Sequence, residues 1–228
     1  MDLNLGQVYG EQRRRIIDLV RSLPQADLLV RLPTCPDWTV RDVVGHMTGL
    51  MADVRADNLG GLGTSAWTQA QVDAYADRSL EEVLAAWAEV AAPAEADAAE
   101  VMGGASTRLV SDAFSHEHDI RGAVDRPGGR SGTAMRVAVE LQLEALRGRL
   151  SEAGLPALTL RCDDGKTFRA GTGEPGATVR FPTAWEMLRA VTARRSRAQL
   201  VGYSWAGPAE DYVPAFFRFA PPEQDIVE

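Results

Sequence analysis

The chain has 228 residues, 45% of them hydrophobic, enough to bury a substantial core in one large domain or two small ones. Its net charge of −8 and pI near 5.0 argue against a nucleic-acid partner, because phosphate binding needs clustered positive charge. The excess is uneven: from Leu155 onward acidic and basic residues balance at nine each, so the whole −8 lies before that point. Two cysteines, Cys35 and Cys162, are too few for a disulfide framework and form no CxxC pair. The start, MDLNLGQVYGEQRRR, lacks the apolar stretch of a secretory signal, and no run approaches the ~18 apolar residues of a membrane span. A cytoplasmic, soluble protein with no membrane partner is expected.

In chain order, Gln7 to Leu23 carries Ile16, Ile17, Val20 and Leu23 at helical spacing, with Arg13, Arg14 and Arg15 expected mostly outward, and ends before Pro24. Ala26 to Leu32 allows a short helical turn, and Pro33 to Trp38 reads as a rigid, proline-punctuated loop. Thr39-Val40-Arg41-Asp42 opens the next helix, with Thr39 as the cap and Asp42 as the acidic member of a capping box. That helix turns Val40, Val43, Val44, Met47 and Leu50 inward, with Asp42 and His46 on a neighbouring stripe. The run NLGGLGTS (residues 58–65) is a flexible connection and not a phosphate loop, since no Lys-Ser/Thr follows it and no strand precedes it.

Ser79-Leu80-Glu81-Glu82 is a second capping box, starting an Ala-rich helix to Pro93 that resumes towards Met102. A helix from Ser106 to Val124 holds two of the three histidines, and Thr133 to Ala153 is the last long helix, ended at Gly154. Then the apolar period changes. Residues 158–162 and 166–170 flank Asp163-Asp164-Gly165 as a hairpin, and residues 177–181 alternate as a third strand. Thr183 to Ala193 is helical again, Leu200 to Trp205 is expected to return as a strand, and Asp211 to Arg218 forms a short final helix. The expected fold is α+β, a four-helix bundle over residues 1–154 followed by a small mixed domain over 155–228.

The stretch richest in chemistry is Ser111-Asp112-Ala113-Phe114-Ser115-His116-Glu117-His118-Asp119-Ile120-Arg121. Residues four apart share a helix face, so Asp112 and His116 project together at metal-ligand spacing, with Asp119 a turn later. His118 lies about 200° round from His116 and faces elsewhere. His46 joins such a site only from another helix. On this reading His118 sits in solvent or on a cleft rim and Glu117 is a solvated charge. Asp119 either orients a ligand or pairs with Arg121 or a neighbouring helix. Cys35, with no histidine near it in sequence, is expected to be a packed loop residue, and Trp38 a packing anchor.

Two segments, Thr34-Cys35-Pro36-Asp37-Trp38-Thr39-Val40-Arg41-Asp42-Val43-Val44-Gly45-His46 and Asp112-Ala113-Phe114-Ser115-His116-Glu117-His118-Asp119-Ile120-Arg121, together resemble the mycothiol-dependent maleylpyruvate isomerase family. The resemblance covers roughly residues 10 to 150, and more loosely 155 to 228. It implies a DinB-like metal-binding bundle followed by a C-terminal domain similar to sterol-carrier proteins. Carried over position by position, it implies His46, Asp112 and His116 as ligands of zinc or another divalent metal, with Asp112 where the family usually has the longer glutamate. It further implies mycothiol or a similar low-molecular-weight thiol as cofactor, an electrophilic small molecule as substrate, and an arginine of the second domain serving activity, for which Arg194 and Arg195 are the candidates. Two imidazoles and one carboxylate leave an open position on zinc, the pattern of a catalytic site.

Two readings follow. One is a metal- and thiol-dependent isomerase or S-transferase that uses a zinc-activated thiolate. The other is a non-catalytic, metal-stabilised module binding an apolar small ligand. A fourth protein ligand closing the site distinguishes the second from the first. Either is compatible with a homodimer.

Overall fold

The computed structural model describes residues 3–218 and 220–228; Met1, Asp2 and Phe219 lie outside them. By its contacts the chain divides into two compact units, one reaching to Gly129 and including Glu228, the other spanning Arg130–Val227.

The first unit is helical. α1 (Leu5–Arg21) starts where the Asn4 side chain accepts the Gln7 backbone N–H at 3.0 Å. After a 3₁₀ turn at Asp27–Leu29, the proline-rich stretch folds into a hairpin instead of an irregular loop, with β1 (Arg31–Leu32) antiparallel to β2 (Cys35–Thr39). β2 runs directly into α2 (Val40–Arg55), whose expected capping box is present: the Thr39 N–H donates to Asp42 Oδ2 at 2.8 Å and the Asp42 N–H to Thr39 Oγ1 at 3.2 Å. Beyond the glycine-rich connection a helix not expected from the sequence, α3 (Ser65–Asp73), is capped by Thr64. α4 (Leu80–Ala96) begins at the Ser79/Glu82 box and carries Pro93 within its last turn. A short α5 (Ala98–Val101) and a 3₁₀ turn lead into α6 (Ser106–Ala123).

α1, α2, α4 and α6 form the four-helix core: α1 packs on α4 and α6, and α2 on α3, α4 and α6. Tyr9, Ile16, Val44, Met47, Trp87 and Phe114 fill it and are almost wholly buried. α1 and α4 approach closely at Gly6, where a Cβ would stand 2.5 Å from the Ala94 carbonyl oxygen. Arg13 does not point outward as its place in the Arg13-Arg14-Arg15 run suggested. It is buried, and its Nε donates to Glu95 at 2.5 Å.

The second unit contains α7 (Thr133–Glu152), β3 (Ala157–Cys162), β4 (Thr167–Ala170), β5 (Pro175–Phe181), α8 (Ala184–Val191), α9 (Arg197–Gly202), β6 (Ser204–Ala206) and α10 (Ala209–Tyr212). Its sheet has the order β4-β3-β5-β6, with β3 parallel to β5 and both edge pairings antiparallel. α7 ends at Gly154, in the left-handed region at φ 66°, with the Leu155 N–H returning to the Leu150 carbonyl at 2.9 Å. The change of apolar period set the expected boundary at this glycine. The compact units divide earlier, between Gly129 and Arg130, because α7 packs on α8, β4 and the 3₁₀ turn at Val213–Phe216. The expected strand over Leu200 to Trp205 is also shorter than read: residues 197–202 are helical, started by a Ser196/Gln199 capping box, and only Ser204–Ala206 pairs with β5. None of the described helices is long and apolar enough to cross a membrane.

Candidate metal centre

α2 and α6 pack together in the first unit, and this brings His46 to the Asp112/His116 face. One ligand atom from each of His46, Asp112 and His116 lies within 4.8 Å of the others. His46 Nε2 stands 3.8 Å from Asp112 Oδ2, and His116 Nε2 stands 3.6 Å from Asp112 Oδ1. These separations are too long for hydrogen bonds. They approach the spacing of two ligands on one tetrahedral ion, about 3.3–3.6 Å for bonds of roughly 2.0–2.2 Å. The two imidazole rings meet edge to face, with centroids 5.1 Å apart and planes at 82°. Both histidines are buried, while the Asp112 side chain keeps 30% of its surface exposed and gives the cluster an open side.

The surroundings hold the two imidazoles by different means. His116 Nδ1–H donates to Asp119 Oδ2 at 3.0 Å, which fixes the tautomer and leaves the Nε2 lone pair facing Asp112. Asp119 thus makes the contact to His116 that an orienting role requires. His46 Nδ1 is buried and has no hydrogen-bond partner among the described residues. Its ring lies instead against Trp38, at a centroid distance of 4.9 Å and 38° between planes, and the Trp38 indole N–H is anchored on Gln69 Oε1 at 2.9 Å. Trp38 thus supports a candidate ligand as well as the start of α2. Tyr9, fully buried in the same bundle, accepts the Trp87 indole N–H at 2.9 Å; burial pushes its hydroxyl pKa up, with the Asp112 charge adding to the effect.

Three neighbours differ from expectation. His118 is buried, not in solvent: its ring packs on Phe114 at 4.3 Å and its Nδ1–H donates to the Phe114 carbonyl at 2.9 Å. It joins neither donor group, as its position round the helix from His116 implied. Glu117 is wholly buried instead of solvated, accepting from Arg15 Nε at 2.9 and 3.0 Å, from Arg15 NH2 at 2.5 Å and from Arg121 Nε at 2.9 Å. Cys35 is half-buried at the start of β2, and the hairpin sets its sulfur within 4.8 Å of a His116 ring nitrogen and an Asp119 oxygen. Its distance in the chain from any histidine hides this approach. The signal available was that Cys35 lies in the same motif as Trp38 and His46.

Arg194 and Arg195 belong to the second unit. Arg195 is buried and grips Glu186 through Nε at 2.5 Å and NH2 at 2.7 Å, while its NH1 donates to the Arg194 carbonyl at 2.6 Å. Burial would raise the Glu186 carboxyl, but the Arg195 guanidinium, aided by the Tyr203 hydroxyl, holds it below the usual carboxylate range. Arg194 is partly exposed, on the residue after Ala193, whose φ of 62° is unusual for a residue with a side chain. The Trp185 ring collects guanidinium groups, with Arg130 at 3.9 Å, Arg195 at 5.7 Å and Arg189 at 5.9 Å from its centroid.

Among known proteins, two crystal structures share the fold. A mycothiol-dependent maleylpyruvate isomerase, solved as a histidine-to-alanine mutant, superposes with a TM-score of 0.59 at 12% identity, covering 89% of this chain and 91% of its own. A structure titled simply as the mycothiol-dependent maleylpyruvate isomerase gives a TM-score of 0.57 at 13% identity with the same coverage. No curated protein matches the sequence. The family model described as the mycothiol maleylpyruvate isomerase N-terminal domain matches residues 9–139, more than half of the chain and the part that holds His46, Asp112 and His116, so the protein belongs to that family.

Proposed function

We propose that the protein is a metal- and thiol-dependent enzyme of the isomerase or S-transferase kind, with His46, Asp112 and His116 as the ligands of zinc or a similar divalent ion. The observation that carries this reading is the convergence of two buried imidazoles on one part-exposed carboxylate, with no fourth His, Cys, Asp or Glu joining that group among the described residues. Three protein ligands and an open side suit a catalytic site better than a closed structural one. The lack of a fourth donor disfavours the alternative of a non-catalytic, metal-stabilised module.

Two neutral imidazoles and one carboxylate would leave a divalent ion with roughly one net positive charge, which keeps a coordinated thiol ionised near neutral pH. The chain's own residues set the rest. Asp119 holds the His116 proton on Nδ1, which leaves Nε2 available as a ligand. Trp38 walls the His46 side with an aromatic face that admits no water between the rings. The reaction proposed is addition of the thiolate to an electrophilic small molecule, or its transfer to one, with mycothiol and maleylpyruvate as the first pair to try. Arg194 and Arg195 are proposed to serve that activity through the anionic groups of thiol or substrate. The buried Arg195, locked on Glu186, would hold the Arg194 backbone, and Arg194 would present the charge. A cytoplasmic setting belongs to the same proposal, in keeping with a sequence that has only two cysteines and no CxxC pair.

The test is calorimetric titration of mycothiol into the zinc-loaded and metal-free protein. Binding with proton release in the loaded form, abolished in His116→Ala, supports the reading. Equal thiol affinity in His116→Ala would show that the thiol is held without the metal.

A further inference from the structure

His116 turns its two ring nitrogens to two different carboxylates. Nε2 faces Asp112, with His46 beyond it, whereas Nδ1 faces Asp119 at 3.0 Å. Cys35 belongs to the second set: its sulfur, a His116 nitrogen and an Asp119 oxygen lie within 4.8 Å of one another, and it is not part of the group made by His46 and Asp112. We infer that Cys35, His116 and Asp119 form a second ion site, overlapping the first at His116 and suited to a thiophilic cation such as Cd²⁺ or Zn²⁺.

Donor chemistry separates the two sets. The first offers two nitrogens and an oxygen; the second offers sulfur, nitrogen and oxygen, and the thiolate favours softer ions. The second set is also well supported. The His116 and Asp119 side chains retain only 7% and 0% of their surface, so both are held by packing. Cys35 is fixed by the hairpin, opposite Leu32 in the β1–β2 register, with the rigid Pro36 next to it. Its half-exposure gives an ion a way in. Binding replaces the thiol proton, which leaves to solvent, by the metal–sulfur bond and shifts the His116 proton from Nδ1 to Nε2 as Nδ1 takes the ion. It also draws Asp119 from its hydrogen bond to His116 Nδ1, the bond that holds His116 for the first site. Occupancy of either site therefore weakens the other by the same factor.

The experiment is an optical titration of the metal-free, full-length protein with Cd²⁺, read at the near-ultraviolet thiolate-to-metal charge-transfer band. The inference expects the band in the wild type and in His46→Ala, its loss in Cys35→Ser, and a shift of the midpoint to higher Cd²⁺ when one equivalent of zinc is bound first. A second readout is independent of whether the variants fold: Cd²⁺ protects Cys35 of the wild type from alkylation by iodoacetamide, scored by peptide mass. Cys162, whose thiol burial pushes up to about 11, serves as the slow internal reference. Absence of the band, or its persistence in Cys35→Ser, overturns the inference. Loss of the band in a folded His46→Ala would mean that Cys35 acts only as part of the first centre, and also overturns it. So does alkylation of Cys35 at an undiminished rate under saturating Cd²⁺.

Discussion

Replacing Glu117 with Gln tests how much the bundle depends on a carboxylate whose burial no local pattern foretells. The group is wholly inaccessible and satisfies Arg15 through three N–O contacts and Arg121 through one. Glutamine keeps the volume but removes the charge and turns an NH₂ towards one guanidinium, so the loss is of pairing and not of packing. Removing one partner of a buried ion pair costs about 3–5 kcal/mol. The two arginines differ in how far water can compensate: the Arg15 side chain is 38% exposed and can rehydrate, while Arg121 at 16% cannot do so fully. The expected loss is therefore about 2–4 kcal/mol, towards the lower part of that range. For a chain of this size that corresponds to a fall in melting temperature on the order of 10 °C. Calorimetry of the metal-free proteins, with reversibility checked by rescanning, gives the number. A fall of less than about 2 °C, at most about 1 kcal/mol, would refute the view that Glu117 is a pillar of the fold.

Asp119→Ala should weaken zinc binding about 10–100-fold by freeing the His116 tautomer, while the metal-free far-ultraviolet spectrum stays that of the wild type; chelator competition measures the first and circular dichroism the second. Gly49→Ala would place a Cβ 2.7 Å from Gln71 Cβ, where α2 meets α3 one turn from His46. Urea denaturation should show a loss of about 1–3 kcal/mol from overpacking. Glu186, whose carboxyl is held low by Arg195, contributes stability that is complete above the ordinary glutamate value of about 4.3 and is lost as pH falls from there through its lowered folded value. In Glu186→Gln the melting temperature should accordingly drop at neutral pH and depend less on pH in that acid range, and an unchanged acid slope would contradict the pairing.

What the sequence made legible follows what local geometry determines. The Asp112/His116 pair could be read because any helix puts residues four apart on one face, and the capping boxes at Thr39 and Ser79 because their partners are three residues away. His46 could not be paired with them from spacing alone and entered through the resemblance. Cys35 stayed hidden because its approach to Asp119 depends on a hairpin packed on α6, a tertiary event with no periodic signature. The burial of Glu117 had the same origin, since it depends on Arg15 reaching across from α1. The change of apolar period at Leu158 was visible, but it did not reveal that α7 packs with the sheet that follows it. The helix at residues 197–202 was within reach, because Ser196 and Gln199 spell out a capping box that the apolar run over Leu200 to Trp205 obscured.

Whether His46, Asp112 and His116 hold one divalent ion is best probed at His46, which belongs to that donor group alone. The measurement is the zinc dissociation constant of wild type, His46→Ala and Cys35→Ser, each by equilibrium competition with a chromophoric chelator. A shared ion means one tightly bound zinc in the wild type, tight binding retained in Cys35→Ser, and a loss of at least roughly 100-fold in His46→Ala, in keeping with removal of one of three ligands. A folded His46→Ala protein that binds zinc as tightly as the wild type would contradict it.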